Sequence, residues 1–243
     1  MTDLPVLVVE HEAMCPPGWV GEWLETAGLR VDVRRPYRGD GLPDRLGGHR
    51  SLVVLGGSMD ADSDRAHPWL TQVKELLRDA AGDGVPALGI CLGHQVAAVA
   101  LGGAVHKNPR GQQIGLFEVG WTDDVRGDPL FGALEGPRRA VQWNNDIVSA
   151  LPPGTMVLAR TPDDELQAAR FAPTVWGVQW HPEAGAEIVS SWADHDRDEV
   201  HERGLDVDRY VAAVAAARDE LRSTWQPLVE RFAALDRRVP ASW

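Results

Sequence analysis

A chain of 243 residues, 44% apolar and 25% charged, is long enough to bury a full core without disulfide or metal staples. Its two cysteines, Cys15 and Cys91, exclude a disulfide scaffold and a four-cysteine zinc site, and a formal charge of −12 argues against nucleic-acid phosphates as partners. No apolar run reaches the roughly 18 residues of a membrane span, and Met1-Thr2-Asp3-Leu4-Pro5 lacks the basic and apolar segments of a secretion signal, so the expected setting is cytoplasmic and reducing.

In chain order, Pro5 to Glu10 is a short apolar run that reads as a buried strand. Gly18 to Ala27 places Trp19, Val20, Trp23, Leu24 and Ala27 at helical spacing, and Gly28 supplies the stop. Val31 to Val33 and Ser51 to Leu55 read as further strands, the second ended by Gly56-Gly57. A helix is expected from Trp69 to Ala81, a strand over Val85 to Ile90 and an alanine-rich helix from Gly93 to Leu101. This alternation predicts a flavodoxin-like α/β sandwich: a mostly parallel central sheet with helices on both faces. In the second half, Ile114 to Trp121, Ala140 to Trp143, Met156 to Arg160, Leu166 to Phe171 and Thr174 to Trp180 read as short strands between Gly, Pro and Asp turns. Beyond Pro182 the chain turns helical, from Ala186 to Arg203 and from Val207 to about Leu235, giving a helical tail over about 186–243. No linker interrupts it, and 1–243 reads as one domain.

Gly89-Ile90-Cys91-Leu92-Gly93 lies between a buried strand and an apolar helix. Small residues on both sides of a nucleophile permit a strained strand-to-helix turn that lifts its side chain clear of the sheet. The helix beginning there directs free N–H groups and its positive dipole end at the sulfur, which favours thiolate, and the Leu92 N–H becomes a donor to an oxyanion. On pattern alone, tight packing around a buried cysteine fits equally well. A thiolate nucleophile needs a base, and the base needs orienting. His181-Pro182-Glu183 directly follows the strand ending at Trp180, so Cys91 and His181 both sit at C-terminal strand ends, where open α/β sheets bind ligands. Pro182 forces the chain out of the strand, leaving Glu183 free to turn back onto the imidazole.

Gly89-Ile90-Cys91-Leu92-Gly93-His94-Gln95 together with Gln179-Trp180-His181-Pro182-Glu183 resembles the class I glutamine amidotransferases. The likeness is to the free-standing branch similar to the glutaminase domain of GMP synthase, and it runs from about Val53 to Trp192. It implies that the Cys91 thiolate attacks a glutamine side-chain amide, that His181 shuttles the proton, and that Glu183 orients His181. Ammonia leaves and water hydrolyses the γ-glutamyl thioester, with no cofactor and no metal. Gly57 in Leu55-Gly56-Gly57-Ser58-Met59 resembles the second oxyanion donor beside Leu92, and Gln95 is implied to touch the amino-acid end of the substrate. His94 reads as structural.

Two positions depart from the pattern. Gln142-Trp143-Asn144-Asn145-Asp146 has Asn144 and Asn145 where the branch usually carries histidine and glycine, in a loop that presents backbone groups to the glutamine head. Asparagine tolerates left-handed dihedrals, which would preserve the loop shape while its side chains change the pocket. Ser58 stands where proline is common. Cys15 lacks an elbow and reads as a loop cysteine; Asp194, His195, Asp198 and His201 read as a solvated helix face rather than metal ligands. Asp60 to Asp64 reads as a polar loop and helix cap. Three functions stay open: an amidotransferase subunit supplying ammonia to a separate synthetase, a stand-alone γ-glutamyl amide hydrolase, and a catalytically silent binding homologue. Neither a membrane nor nucleic acid is expected as partner.

Overall fold

A computed structural model describes residues 4–134, 136 and 138–235; the predicted tail beyond 235 lies outside the described residues. The first half follows the expected alternation: β1 (Val6–Val9), α1 (Gly18–Thr26), β2 (Val31–Arg34), β3 (Ser51–Val54), α2 (Trp69–Asp83), β4 (Ala87–Ile90) and α3 (Leu92–Ala100). The second half holds β5 (Ala104–Lys107), β6 (Gln113–Glu118), β7 (Gly120–Trp121), β8 (Arg139–Asn144), β9 (Asp146–Ala150), β10 (Met156–Arg160), β11 (Leu166–Ala172) and β12 (Val175–Val178). Three helices close the described chain: α4 (Ala186–Glu202), α5 (Val207–Ala216) and α6 (Arg218–Ala233).

Eight strands form one sheet in the order β2-β1-β3-β4-β12-β11-β10-β7. Its first five strands are parallel, and β11, β10 and β7 continue antiparallel from β12. Alternate residues of a strand face opposite sides, and β1 shows the result: Val6 and Val8 join one apolar cluster, Leu7 and Val9 the other. The first cluster is capped by α1 and the three C-terminal helices, the second by α2 and α3. Leu221, Trp225, Leu228 and Phe232 of α6 are buried in the first, so the apolar stripe of the tail packs on its own sheet.

Three local expectations are corrected, and two strands were not anticipated. The run 114–121 divides at Val119, with β6 pairing β8 in a separate ribbon while β7 joins the main sheet edge. Strands β5 and β9 pair with each other and lacked a readable pattern, because β5 is mostly exposed and carries no apolar alternation. The expected helix 207–235 breaks at Ala217, letting α5 lie against β6 and α4 while α6 crosses to α1. The acidic run does not cap α2. Pro68 occupies that position, and Asp64 accepts hydrogen bonds from Thr71 and Lys74 instead. No helix among the described residues is long and apolar enough to cross a membrane.

Candidate active site

Cys91 stands between β4 and α3 with φ 49° and ψ −106°, a left-handed backbone that non-glycine residues rarely adopt. Its N–H donates to the Val178 carbonyl at 2.8 Å, and the Gly93 N–H donates to the Leu55 carbonyl at 3.1 Å, so the turn is tied to both neighbouring strands. The flanking glycines are required by space. A Cβ on Gly89 would lie 2.3 Å from the Gly93 carbonyl oxygen, and one on Gly93 would lie 2.0 Å from that of Val54. Leu92 is the first residue of α3, where a backbone N–H has no intrahelical acceptor; its side chain packs in the opposite core.

The parallel pairing of β12 with β4 sets Val178 against Ile90, so the chain leaving β12 reaches the same edge as Cys91. The His181 N–H donates to the Val141 carbonyl at 2.9 Å, and its Nδ1 lies 2.7 Å from Glu183 Oε1, both side chains being almost fully buried. His181 Nε2 is buried without a nitrogen or oxygen partner. Burial by itself would lower the imidazole pKa, but the carboxylate of Glu183 and the sulfur of Cys91 outweigh it and raise it well above the ordinary histidine value. Gly56 marks where these groups converge: a Cβ there would lie 3.1 Å from His181 Cε1 and 3.7 Å from both Cys91 Cβ and Cys15 Sγ.

These residues open onto a cavity of about 240 Å³, whose walls bring together Cys91, His181, Gly57, Gln95, Asn144 and Asn145. Gln95 Nε2 donates to the Asp146 carbonyl at 3.0 Å. Asn144 Nδ2 lies 3.3 Å from both Gln113 Oε1 and the Asp146 carbonyl, leaving Asn144 Oδ1 buried without a partner. Neither Asn144 nor Asn145 takes a positive φ, so the left-handed tolerance invoked from the sequence is not used here.

Other candidates fall elsewhere. His94 is fully buried beside Phe171, away from the cavity, and burial pushes its pKa down to about 3. Cys15 does line the cavity; burial first, then the charges of Glu12 and Cys91, push its thiol strongly up. Of the four residues weighed as metal ligands, His195 lines the cavity, whereas Asp194 pairs with Arg197. Residues the sequence did not single out complete the walls. Trp192 of α4 lies 4.5 Å from the His181 ring and donates its indole N–H to the Met14 carbonyl. Asp196, one turn on, accepts from Trp143 at 2.7 Å. Glu12 accepts from Ser58. Their helical or loop positions carried no local signal, since each acts through distant neighbours.

The architecture is that of solved glutamine amidotransferases. One from Thermotoga maritima superposes with a TM-score of 0.85, covering 97% of this chain and 100% of the other at 23% identity. The family model for class-I glutamine amidotransferases matches residues 24–188, and the chain belongs to that family. It is 29% identical over 213 residues to the glutamine amidotransferase-like protein YfeJ of Salmonella typhimurium, covering 86% of this chain and 87% of that one. It is 36% identical over 151 residues to a glutamine-hydrolyzing GMP synthase subunit of Methanosarcina barkeri, covering 59% of this chain and 71% of that one.

Proposed function

We propose that this chain hydrolyses the side-chain amide of glutamine through a Cys91 thioester and releases ammonia to a synthetase on a separate chain. The observation that carries the reading is the buried His181–Glu183 pair, 2.7 Å apart, at the strand end beside the strained Cys91 turn. In this mechanism His181 Nε2 takes the proton from Cys91 Sγ, giving the imidazolium–thiolate pair that the raised imidazole pKa favours, and the thiolate bonds to the γ-carbon. The carbonyl oxygen becomes an oxyanion facing the N–H groups of Leu92 and Gly57. The C–N bond then breaks as His181 returns the proton to nitrogen, and ammonia departs. A water molecule, deprotonated by His181, attacks the thioester and releases glutamate. Glu183 accepts the Nδ1–H, which fixes the tautomer that leaves Nε2 basic. Gln95, Asn144 and Asn145 hold the amino-acid end. The relatedness to a protein named as one subunit of a glutamine-hydrolyzing GMP synthase supports a separate synthetase as acceptor.

A second reading, a stand-alone γ-glutamyl amide hydrolase, is favoured by the cavity wall beside His181. The leaving nitrogen must exit next to His181, where Trp192 of this chain's own α4 lies 4.5 Å from the ring, and His195 and Asp196 of the same helix line the same cavity. A substituent on the amide would meet those residues. The test is turnover of glutamine and a panel of γ-glutamyl amides by the purified chain, with and without a candidate synthetase. Preference for glutamine and synthetase-coupled use of its nitrogen supports the first reading. Faster turnover of bulky amides than of glutamine, unaffected by any partner, replaces it with the second.

A further inference from the structure

The second oxyanion donor proposed above sits in a segment with little stiffness of its own. Leu55 is tied at both ends of its peptide unit, its N–H to the Val9 carbonyl at 3.1 Å and its carbonyl to the Gly93 N–H at 3.1 Å. Gly56 and Gly57 follow, and a glycine pair rotates freely unless its far end is also held. That far end is Ser58. Its N–H donates to Glu12 Oε1 at 2.7 Å and its hydroxyl donates to Glu12 Oε2 at 2.8 Å, so both prongs of one carboxylate grip one residue. The Cys15 thiol donates to the same Oε1 at 3.5 Å, and burial keeps that thiol protonated and able to donate. Glu12 follows β1 and Ser58 follows β3, strands that pair directly, so the grip spans two adjacent strand ends at the cavity rim. A proline at position 58, the residue common there in the resembling branch, could donate neither bond.

We propose that Glu12 is a positioning residue: its two-pronged hydrogen bond to Ser58 holds the Gly56-Gly57 segment so that the Gly57 N–H stays aimed at the oxyanion formed over Cys91. The clamp takes the place of proline stiffness at a position where serine alone would leave two glycines untethered. It rests on the reading of Cys91 as nucleophile and Gly57 as oxyanion donor. Charge-assisted hydrogen bonds are the strong ones, and loss of a donor geometry that matters only in the transition state lowers kcat and leaves KM nearly unchanged.

The experiment compares Glu12→Ala, Glu12→Gln and Ser58→Ala with the unmodified chain in three measurements: γ-glutamyl amide turnover, inhibition by glutamate γ-semialdehyde, and alkylation of Cys91 by iodoacetamide. The semialdehyde adds Cys91 S–H across its C=O bond, placing a new oxygen where the oxyanion forms; iodoacetamide reports the sulfur itself. Glu12→Ala is expected to lower kcat by about ten- to a hundredfold and to weaken semialdehyde inhibition by the same factor, with Cys91 alkylation within about twofold. Glu12→Gln keeps an acceptor for the Ser58 N–H and is expected to recover most of the loss. Ser58→Ala, at an exposed position that tolerates truncation, removes one prong and should show a smaller, parallel loss. Unchanged kcat and inhibition in both alanine variants overturns the clamp, and so does an equal fall in alkylation, which would mean general damage to the site. If the unmodified chain turns over no γ-glutamyl amide and its Cys91 resists glutamine-like electrophiles, the nucleophile reading itself fails and takes the clamp with it.

Discussion

Cys91 is held in a backbone conformation that costs a non-glycine residue about 1–3 kcal/mol. A stability comparison exposes that cost. Cys91→Ala and Cys91→Gly should both abolish turnover, yet Cys91→Gly should be the more stable of the two by about 1 kcal/mol in denaturant titration, although glycine normally destabilises. Equal stabilities would show that the turn is not strained. A glutamine-like electrophile should label Cys91 and spare Cys15, whose thiol burial holds protonated; peptide mass mapping reads this directly. Glu183→Gln should fall between the unmodified chain and His181→Ala in kcat, because an amide oxygen can still accept the Nδ1–H. That Cys91, His181 and Glu183 meet at one sheet edge was legible in the sequence, because each belongs to a contiguous motif directly after a strand. Glu12, Trp192 and Asp196 were not, since their roles come from pairing across 46, 11 and 53 positions of chain.

At the scale of elements, α6 illustrates how tertiary packing replaces local signal. The matched family region ends at residue 188, so this helix lies beyond it, yet Trp225 is buried 4.9 Å from Trp180 and donates to the Arg139 carbonyl at 3.1 Å. Trp225→Ala is expected to destabilise by about 3–5 kcal/mol, measured by chemical denaturation; a loss under about 1 kcal/mol would show that α6 is an appendage rather than part of the core. Strands β1, β3 and β4 of the parallel half were readable because they are short, mostly apolar runs buried on both faces. The β5–β9 ribbon was not, because the mostly exposed β5 takes its pairing from its partner rather than from its own pattern, and the pairing of β6 with β8 lies between segments that local pattern does not link.

Across the whole molecule, buried histidines set opposite pH limits. His11 and His94 are held near pKa 3 against an ordinary 6.5, principally by burial, so they fold neutral. Their contribution is present above pH 6.5 and is lost as pH falls from 6.5 towards 3. His181 has the opposite sign. Its folded pKa is raised, so its stabilisation is complete below about 6.5 and fades as pH climbs through the folded value. Thermal unfolding against pH should therefore show His94→Leu flattening the acid side and His181→Gln flattening the alkaline side; shifts on the reversed sides would contradict these assignments. The place of β12 also has a consequence for synthesis. It is the strand that joins the parallel and antiparallel parts of the sheet, and it is the last of the twelve described strands to be made. Chains emerge amino-terminus first, so a half-made chain displays the cysteine turn and an unpaired β4 edge, with no imidazole to work beside. Truncated chains ending before residue 175 should accordingly resist glutamine-like electrophiles, and the full chain, which carries His181 and Glu183, should react. If Cys91 is the nucleophile proposed above, the strand order leaves its thiol without a base until the last described strand has been made.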